Sequence, residues 1–248
     1  MVAEPLLSPD EEEEEEERKE RLISPGLLEM EKRLGGGLPP ASLTLIEGDP
    51  DAGKSVFTLQ LVYGALKQGY RCAVFVSEAT AREVLEQMDG FGMPLSDYYL
   101  LRRLALFDAD FQGDRQRAEA LLSRVLRYMA VCQDYELFVV DSITPLIFNF
   151  DEWYVLSFLA KCKELADMGR TIIVTLHSYA MNESLRLRAN SIVDAHLRLR
   201  IEELGNQLVR TLEVVKVRGA VRTVDNTVSF TVEPGVGIKS VPITRAKA

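Results

Sequence analysis

The chain has 248 residues, 47% of them hydrophobic, with 38 acidic against 29 basic side chains, a net charge of −9 and a pI near 5.0. Residues 1–20 carry ten acids against two bases, a net of −8, which leaves 28 acids and 27 bases in residues 21–248. A nearly neutral body argues against a protein that grips nucleic acid through a strongly basic surface. Three scattered cysteines and two histidines, with no ligand spacing, support neither a disulfide framework nor a zinc site.

In chain order, residues 1–21 read as an acidic disordered tail, because Glu11 through Glu17 repel one another and stay solvated. No basic region followed by an apolar run marks a signal peptide. Uncharged stretches such as Thr171–Asn182 fall short of the ~18–20 residues of a spanning helix. The chain reads as a soluble, cytoplasmic protein free to dock onto a membrane machine. Residues 22–248 read as one domain.

Leu27, Leu28, Met30 and Leu34 place apolar groups on one helical face, and Gly35-Gly36-Gly37 ends that helix. Strands are predicted at Ser42–Glu47, Arg71–Ser77, within Tyr98–Phe107, at Glu136–Asp141 and at Thr171–Leu176. Helices alternate with them over Lys54–Gln68, Thr80–Met88, Asp114–Val131 and Asp151–Met168. Thr80 and Glu83 have capping-box spacing. Fully apolar strands alternating with helices predict an α/β fold, a mainly parallel sheet covered on both faces. From Asp194 onward, Asp194–Glu203, Val209–Arg218 and Thr227–Glu233 read as antiparallel strands extending that sheet.

Gly48-Asp49-Pro50-Asp51-Ala52-Gly53-Lys54-Ser55, followed by Val56, matches the phosphate-loop pattern GxxxxGK[ST] between an apolar strand and a helix start. Glycines let successive backbone N–H groups converge on phosphate oxygens, and the helix N-terminus adds partial positive charge. Lys54 is expected on the terminal phosphates and the Ser55 hydroxyl on Mg²⁺. Asp49 and Asp51 repel a triphosphate unless they face solvent or pair with a base. Asp141, closing Leu137-Phe138-Val139-Val140, is placed to hold the metal beside Ser55. Glu78 closes the second strand on the same sheet edge and is a candidate general base. His177 ends the fifth strand, either as a γ-phosphate sensor or as an ordinary rim histidine.

The stretch Leu28–Ser55, Glu78, Asp141-Ser142 and Val215-Lys216-Val217-Arg218-Gly219 resemble the RecA/KaiC branch of P-loop ATPases. The ending Val232-Glu233-Pro234-Gly235-Val236-Gly237-Ile238-Lys239, closed by Ala246-Lys247-Ala248, is most similar to the FlaH-type accessory ATPases of the archaellum, the archaeal flagellum. The resemblance covers residues 22–248 and implies ATP or ADP with Mg²⁺, and a homo-oligomeric ring, a hexamer, with nucleotide at subunit boundaries. It further implies that Lys216 and Arg218 reach the neighbour's γ-phosphate. Its implied function is an ATP-binding, weakly or non-hydrolysing subunit beneath the cell membrane. There it would meet the hexameric motor ATPase, the membrane platform protein and a scaffold ring. The acidic run before Arg18 is not part of that family pattern.

Two rivals share the fold, a DNA recombination or repair ATPase and a signalling ATPase. The first needs basic, aromatic DNA-facing loops. Ser142–Trp153 is aromatic but carries two acids and no base, while the next loop offers Arg186 and Arg188. No nucleic acid is expected as a partner. The second often has two ATPase domains or a phosphorylated tail, and this chain has one domain.

Overall fold

The computed structural model describes residues 21–109, 115–147, 150–204, 207–218 and 226–241. The predicted acidic tail, apart from Arg21, lies outside the described residues, as do Gly219 and Ala246-Lys247-Ala248.

Among the described residues nine strands form one sheet in the order β3-β2-β4-β5-β1-β6-β7-β8-β9. They are β1 (Leu43–Gly48), β2 (Cys72–Val76), β3 (Leu104–Asp108), β4 (Leu137–Asp141), β5 (Thr171–His177), β6 (Ala195–Leu204), β7 (Gln207–Val217), β8 (Thr227–Glu233) and β9 (Gly237–Val241). The first six are mutually parallel; β7, β8 and β9 return antiparallel. Thus β6, expected among antiparallel strands, is parallel to β1 and antiparallel only to β7. The reason is a crossover helix, Glu183–Ile192, which separates β5 from β6 and which the sequence pattern did not expose. Only Leu185 and Ala189 of that helix are buried, so its apolar stripe is too thin to read. The strand β9 was also missed, behind the Pro234-Gly235 turn.

The helices are α1 (Leu28–Leu34), α2 (Lys54–Lys67), α3 (Ala81–Gly90), α4 (Ser96–Leu100), α5 (Arg115–Val131), α6 (Thr144–Ile147), α7 (Glu152–Asp167) and α8 (Glu183–Ile192). Alternation along β1 divides the core: Ile46 packs with the side of α1, α2 and α3, while Leu43 and Leu45 pack with α5, α7 and α8. Each fully buried Leu or Ile in these layers contributes about 1.5–3 kcal/mol. The predicted capping box of Thr80 and Glu83 is formed at α3. In α1, Met30 and Leu34 are buried, but Leu28 is 66% exposed and lies off the apolar face assigned to it. Met30 and Leu34, one and two helical turns from the partly buried Leu27, point inward, and Leu28 is rotated away from them.

Residues 21–27 cross the outside of α2 as a strap. Gln60 Nε2 donates to the Pro25 carbonyl at 2.6 Å, Gln68 Nε2 to Leu22 O at 2.9 Å, and Tyr70 Oη to Arg21 O at 2.7 Å. Gly64 permits this approach: an added Cβ would sit 2.0 Å from the Ser24 carbonyl oxygen. With the sheet on one side and the strap on another, α2 is apolar almost all round, and its N-terminus is held at the carboxyl ends of the parallel strands. That edge is where open α/β sheets bind ligands.

Candidate nucleotide-binding site

The buried strand β1 delivers the chain to Gly48, and the loop curls back through two left-handed residues, Asp51 (φ 60°) and Gly53 (φ 87°), into α2. Among the described residues three other helices start on a side-chain cap, from Thr80, Asp151 and Asn182. Helix α2 starts at Gly53 without one and has no acid in its first turn. Its leading N–H groups and its positive dipole end are therefore open to an anion.

Lys54, largely buried, bends over the loop. Its ammonium donates to Gly48 O at 3.1 Å and Asp49 O at 2.9 Å, and meets His177 Nδ1 at 3.1 Å. Because an ammonium only donates, Nδ1 is the acceptor, and the network assigns the ring proton to Nε2. That nitrogen faces both Glu78 oxygens, at 3.2 and 3.3 Å. A continuous chain Lys54–His177–Glu78 results, with the imidazole stacked on Tyr179 at 5.1 Å. Burial lowers the Lys54 pKa, while Glu78, Asp141, Asp49 and Asp51 act in the opposite sense.

Asp141 ends β4 fully inside the site. Burial raises its pKa, against hydrogen bonds from Thr175 and Ser55 that lower it; the Thr175 hydroxyl donates at 2.5 Å. A desolvated carboxylate bonded to the Ser55 hydroxyl is an all-oxygen donor pair of the kind Mg²⁺ takes while keeping water and phosphate ligands. Glu78 accepts from Ser142 Oγ at 2.5 Å besides facing His177. Asp49 accepts from the Ser178 hydroxyl, and Asp51 is exposed. Neither carboxylate of the loop therefore stands bare against an incoming phosphate.

Directly beneath the loop, Glu47 is fully buried among Arg186, Arg198 and His196. Burial works to raise its carboxyl, but the close approach of His196 and hydrogen bonds from Arg198 and Arg186 overcome it and hold the pKa at about 2. The loop thus rests on an ionised floor.

Above it, a cleft of about 360 Å³ runs from His177, Glu78 and Lys54 to Gln87, Phe91, Arg210 and Val232. Those last four were missed by sequence reading; they come from α3, the turn after it, β7 and β8, and no local motif links them. Arg210 Nε donates to the Asp51 carbonyl at 3.1 Å, and its Cδ would lie 3.1 Å from a Cβ placed on Gly53. Arg210→Ala is expected to weaken ATP binding about tenfold, the loss of one hydrogen-bonded cation at the loop, as read by calorimetry.

Lys216 and Arg218 are not brought to this cleft within one chain. Lys216 pairs with His196 and through it with Leu45, about 10 Å below Gly48 by strand rise. Its ammonium donates to Asn190 O at 2.9 Å and Val193 O at 2.7 Å, and Arg218 pairs with Asp194 at 2.8 Å.

A buried cation held by two loop carbonyls, beside an uncapped helix start, is suited to a polyphosphate, and the sheet around it is that of a RecA-like P-loop ATPase. The family model described as "ATPase: KaiC" matches residues 23–245. The chain belongs to the KaiC family of ATPases and, within it, to the FlaH-type group. The archaeal flagellar ATP-binding protein FlaH of Sulfolobus acidocaldarius is 32% identical, over 92% of this chain and 100% of that protein. FlaH of Methanocaldococcus jannaschii is 26% identical over 85% of this chain and 91% of its own length. Two crystal structures share the fold. The flagellar accessory protein FlaH of Methanocaldococcus jannaschii superposes with a TM-score of 0.73 at 24% identity, covering 89% of this chain and 98% of that one. A KaiC-like protein of Pyrococcus horikoshii gives 0.72 at 23%, covering 90% and 99%.

Proposed function

We propose that this chain is an ATP-binding, weakly or non-hydrolysing assembly and regulatory subunit of the archaellum motor. The observation that carries the nucleotide part is Lys54, held by carbonyls of its own loop and by His177, contacts that the β- and γ-phosphates of ATP replace. Ser55 and Asp141 would hold Mg²⁺, which would supply neutralisation of the phosphate charge when bound. Phe91 and Val232 offer the apolar end of the cleft to the base, and Arg210 braces the loop between.

Slow turnover follows from the surroundings of Glu78. A carboxylate whose oxygens already accept from the Ser142 hydroxyl and face His177 Nε2–H is occupied and not free to take a proton from an attacking water. Glu78→Gln is expected to remove the residual hydrolysis, by about 100-fold or more, with ATP affinity within twofold of wild type. Single-turnover hydrolysis and calorimetry measure the two.

The motor part rests on the flagellar relatives, and no helix among the described residues is long and apolar enough to cross a membrane. On this reading the chain meets the cytoplasmic face of the membrane through the motor ATPase and the platform protein. In a ring, Arg218, whose side chain is 63% exposed, is available to the next subunit's γ-phosphate, while Lys216 must first leave the two carbonyls it holds. The test is retention of the archaellum motor ATPase on the immobilised chain with Mg-ATP. Retention that is equal without nucleotide, or absent with it, overturns the motor reading.

A further inference from the structure

Away from the phosphate loop, the nucleotide cleft is walled by α3 and its last turn on one side and by β8 on the other. Gln87 and Phe91 stand one helical turn apart and so face the same way, toward the cleft. The Phe91 ring packs against the core, and so does Val232 across from it, which makes two fixed apolar walls. Backbone contacts latch these walls together. Gly235 N–H, in the turn after β8, donates to Gly90 O at 2.7 Å. A Cβ on Gly92 would lie 2.6 Å from the Gly235 carbonyl oxygen, so only glycine allows the approach. Phe230, opposite Arg210 in the pairing of β7 with β8, would lie 3.6 Å from a Cβ on Gly53 and marks the level of the phosphate loop. Val232 is two residues further along the same face of β8, about 7 Å on, which leaves room for a sugar between loop and walls.

Beside these walls Gln87 is exposed, and its side-chain amide takes no hydrogen-bond partner among the described residues. The groups at the loop cannot choose a base. Lys54, Ser55 and the leading N–H groups of α2 suit phosphates, which every nucleoside triphosphate carries, and Arg210 is turned to the Asp51 carbonyl. A primary amide presents an N–H donor beside a carbonyl acceptor. That pair matches the edge of adenine, where the N6 amino group donates and N7 accepts. Guanine shows two acceptors on the same edge, O6 and N7, so the amide carbonyl meets an acceptor whichever way it turns. We infer that Gln87 selects the base, reading N6 and N7 of adenine while Phe91 and Val232 cover the ring. This selection rests on the cleft being the nucleotide site, as proposed above, and assigns the preference for ATP over GTP to one side chain.

The experiment titrates the full-length chain by calorimetry with the Mg²⁺ complexes of ATP, GTP, 7-deaza-ATP and inorganic tripolyphosphate. The wild type is expected to bind ATP about tenfold tighter than GTP, within the range of one bidentate amide–adenine pair. With 7-deaza-ATP, which lacks only the N7 acceptor, affinity is expected to fall about fivefold, the share of one hydrogen bond. Gln87→Met keeps the length of the side chain and removes the amide. In that variant ATP is expected to lose about tenfold and to match GTP, while GTP and tripolyphosphate stay within about twofold of wild type. Because Gln87 is exposed, its thermal unfolding should match that of the wild type. Equal losses for ATP and GTP in Gln87→Met overturn the inference, since they place the amide on the sugar. An unchanged preference in that variant, no preference in the wild type, or 7-deaza-ATP bound as tightly as ATP overturns it too. In each of those cases tripolyphosphate bound by the wild type and lost in Lys54→Ala leaves the nucleotide reading standing. A wild type that binds neither ATP nor tripolyphosphate overturns both.

Discussion

Lys54→Ala is expected to lower ATP affinity by at least about 100-fold, equivalent to about 3 kcal/mol, the upper range for a hydrogen bond to a charged group. The ammonium makes three polar contacts at the loop and is the buried cation nearest the position of the terminal phosphates. In its absence Glu78 and Asp141 face a triphosphate with only backbone dipoles and Arg210 to offset them. Stability is expected to change little. The Gly48 and Asp49 carbonyls lose their ammonium donor, but the loop keeps its Gly53 turn and the Arg210 bond to Asp51. Calorimetric titration with Mg-ATP, beside thermal unfolding, separates the two effects. Unchanged affinity in the variant removes the assignment of the site.

Glu47→Ala is expected to cost about 3–5 kcal/mol, because it leaves Arg186 against β1 without its counter-charge and Arg198 with Glu213 alone. The same group gives the wild type an acid limit. Its carboxyl moves from 4.5 in the unfolded chain to about 2 in the fold. A depressed carboxyl pKa stabilises fully above the unfolded value, and this stabilisation is lost as pH falls from about 4.5 toward 2. The shift is worth about 3 kcal/mol. Urea unfolding at pH 7 and at steps down to pH 3 should show that decline, with a shallower decline in Glu47→Gln. Because Glu47 immediately precedes Gly48, the variant should also bind ATP less well. Saturating nucleotide should recover part of its stability by mass action. Equal acid sensitivity of wild type and Glu47→Gln would falsify the claim that this carboxylate sets the limit.

The phosphate loop was legible because its chemistry is local: a strand end, a glycine turn and the first residues of a helix are consecutive in the chain. Glu78 and Asp141 were legible for a related reason, since an apolar run that stops at an acid marks the carboxyl edge of a buried parallel strand. Leu28 was misread because one wrong position on a seven-residue helix leaves the periodic pattern intact. Helix α8 was hidden because it buries only two side chains.

Residues that depend on neighbours across the sheet could not be read in this way. His177 was visible as a strand-end histidine, but its bridging of Lys54 and Glu78 requires β5 to lie beside β1 and near β2. Arg210, Phe91 and Val232 meet only because β7 and β8 fold back along β6 over the loop. The cations Lys216 and Arg218, adjacent to a recognisable motif in the chain, point to α8 and Asp194 at the other end of the strands. The sequence by itself determined the class of fold, the phosphate loop and the acids at its edge, since these follow from backbone geometry and hydrophobic periodicity over short spans. Only the tertiary structure decided which side chains line the cleft and which cations stand away from it. That choice is made by strand order and register, where pairing over more than a hundred residues sets what lies beside what.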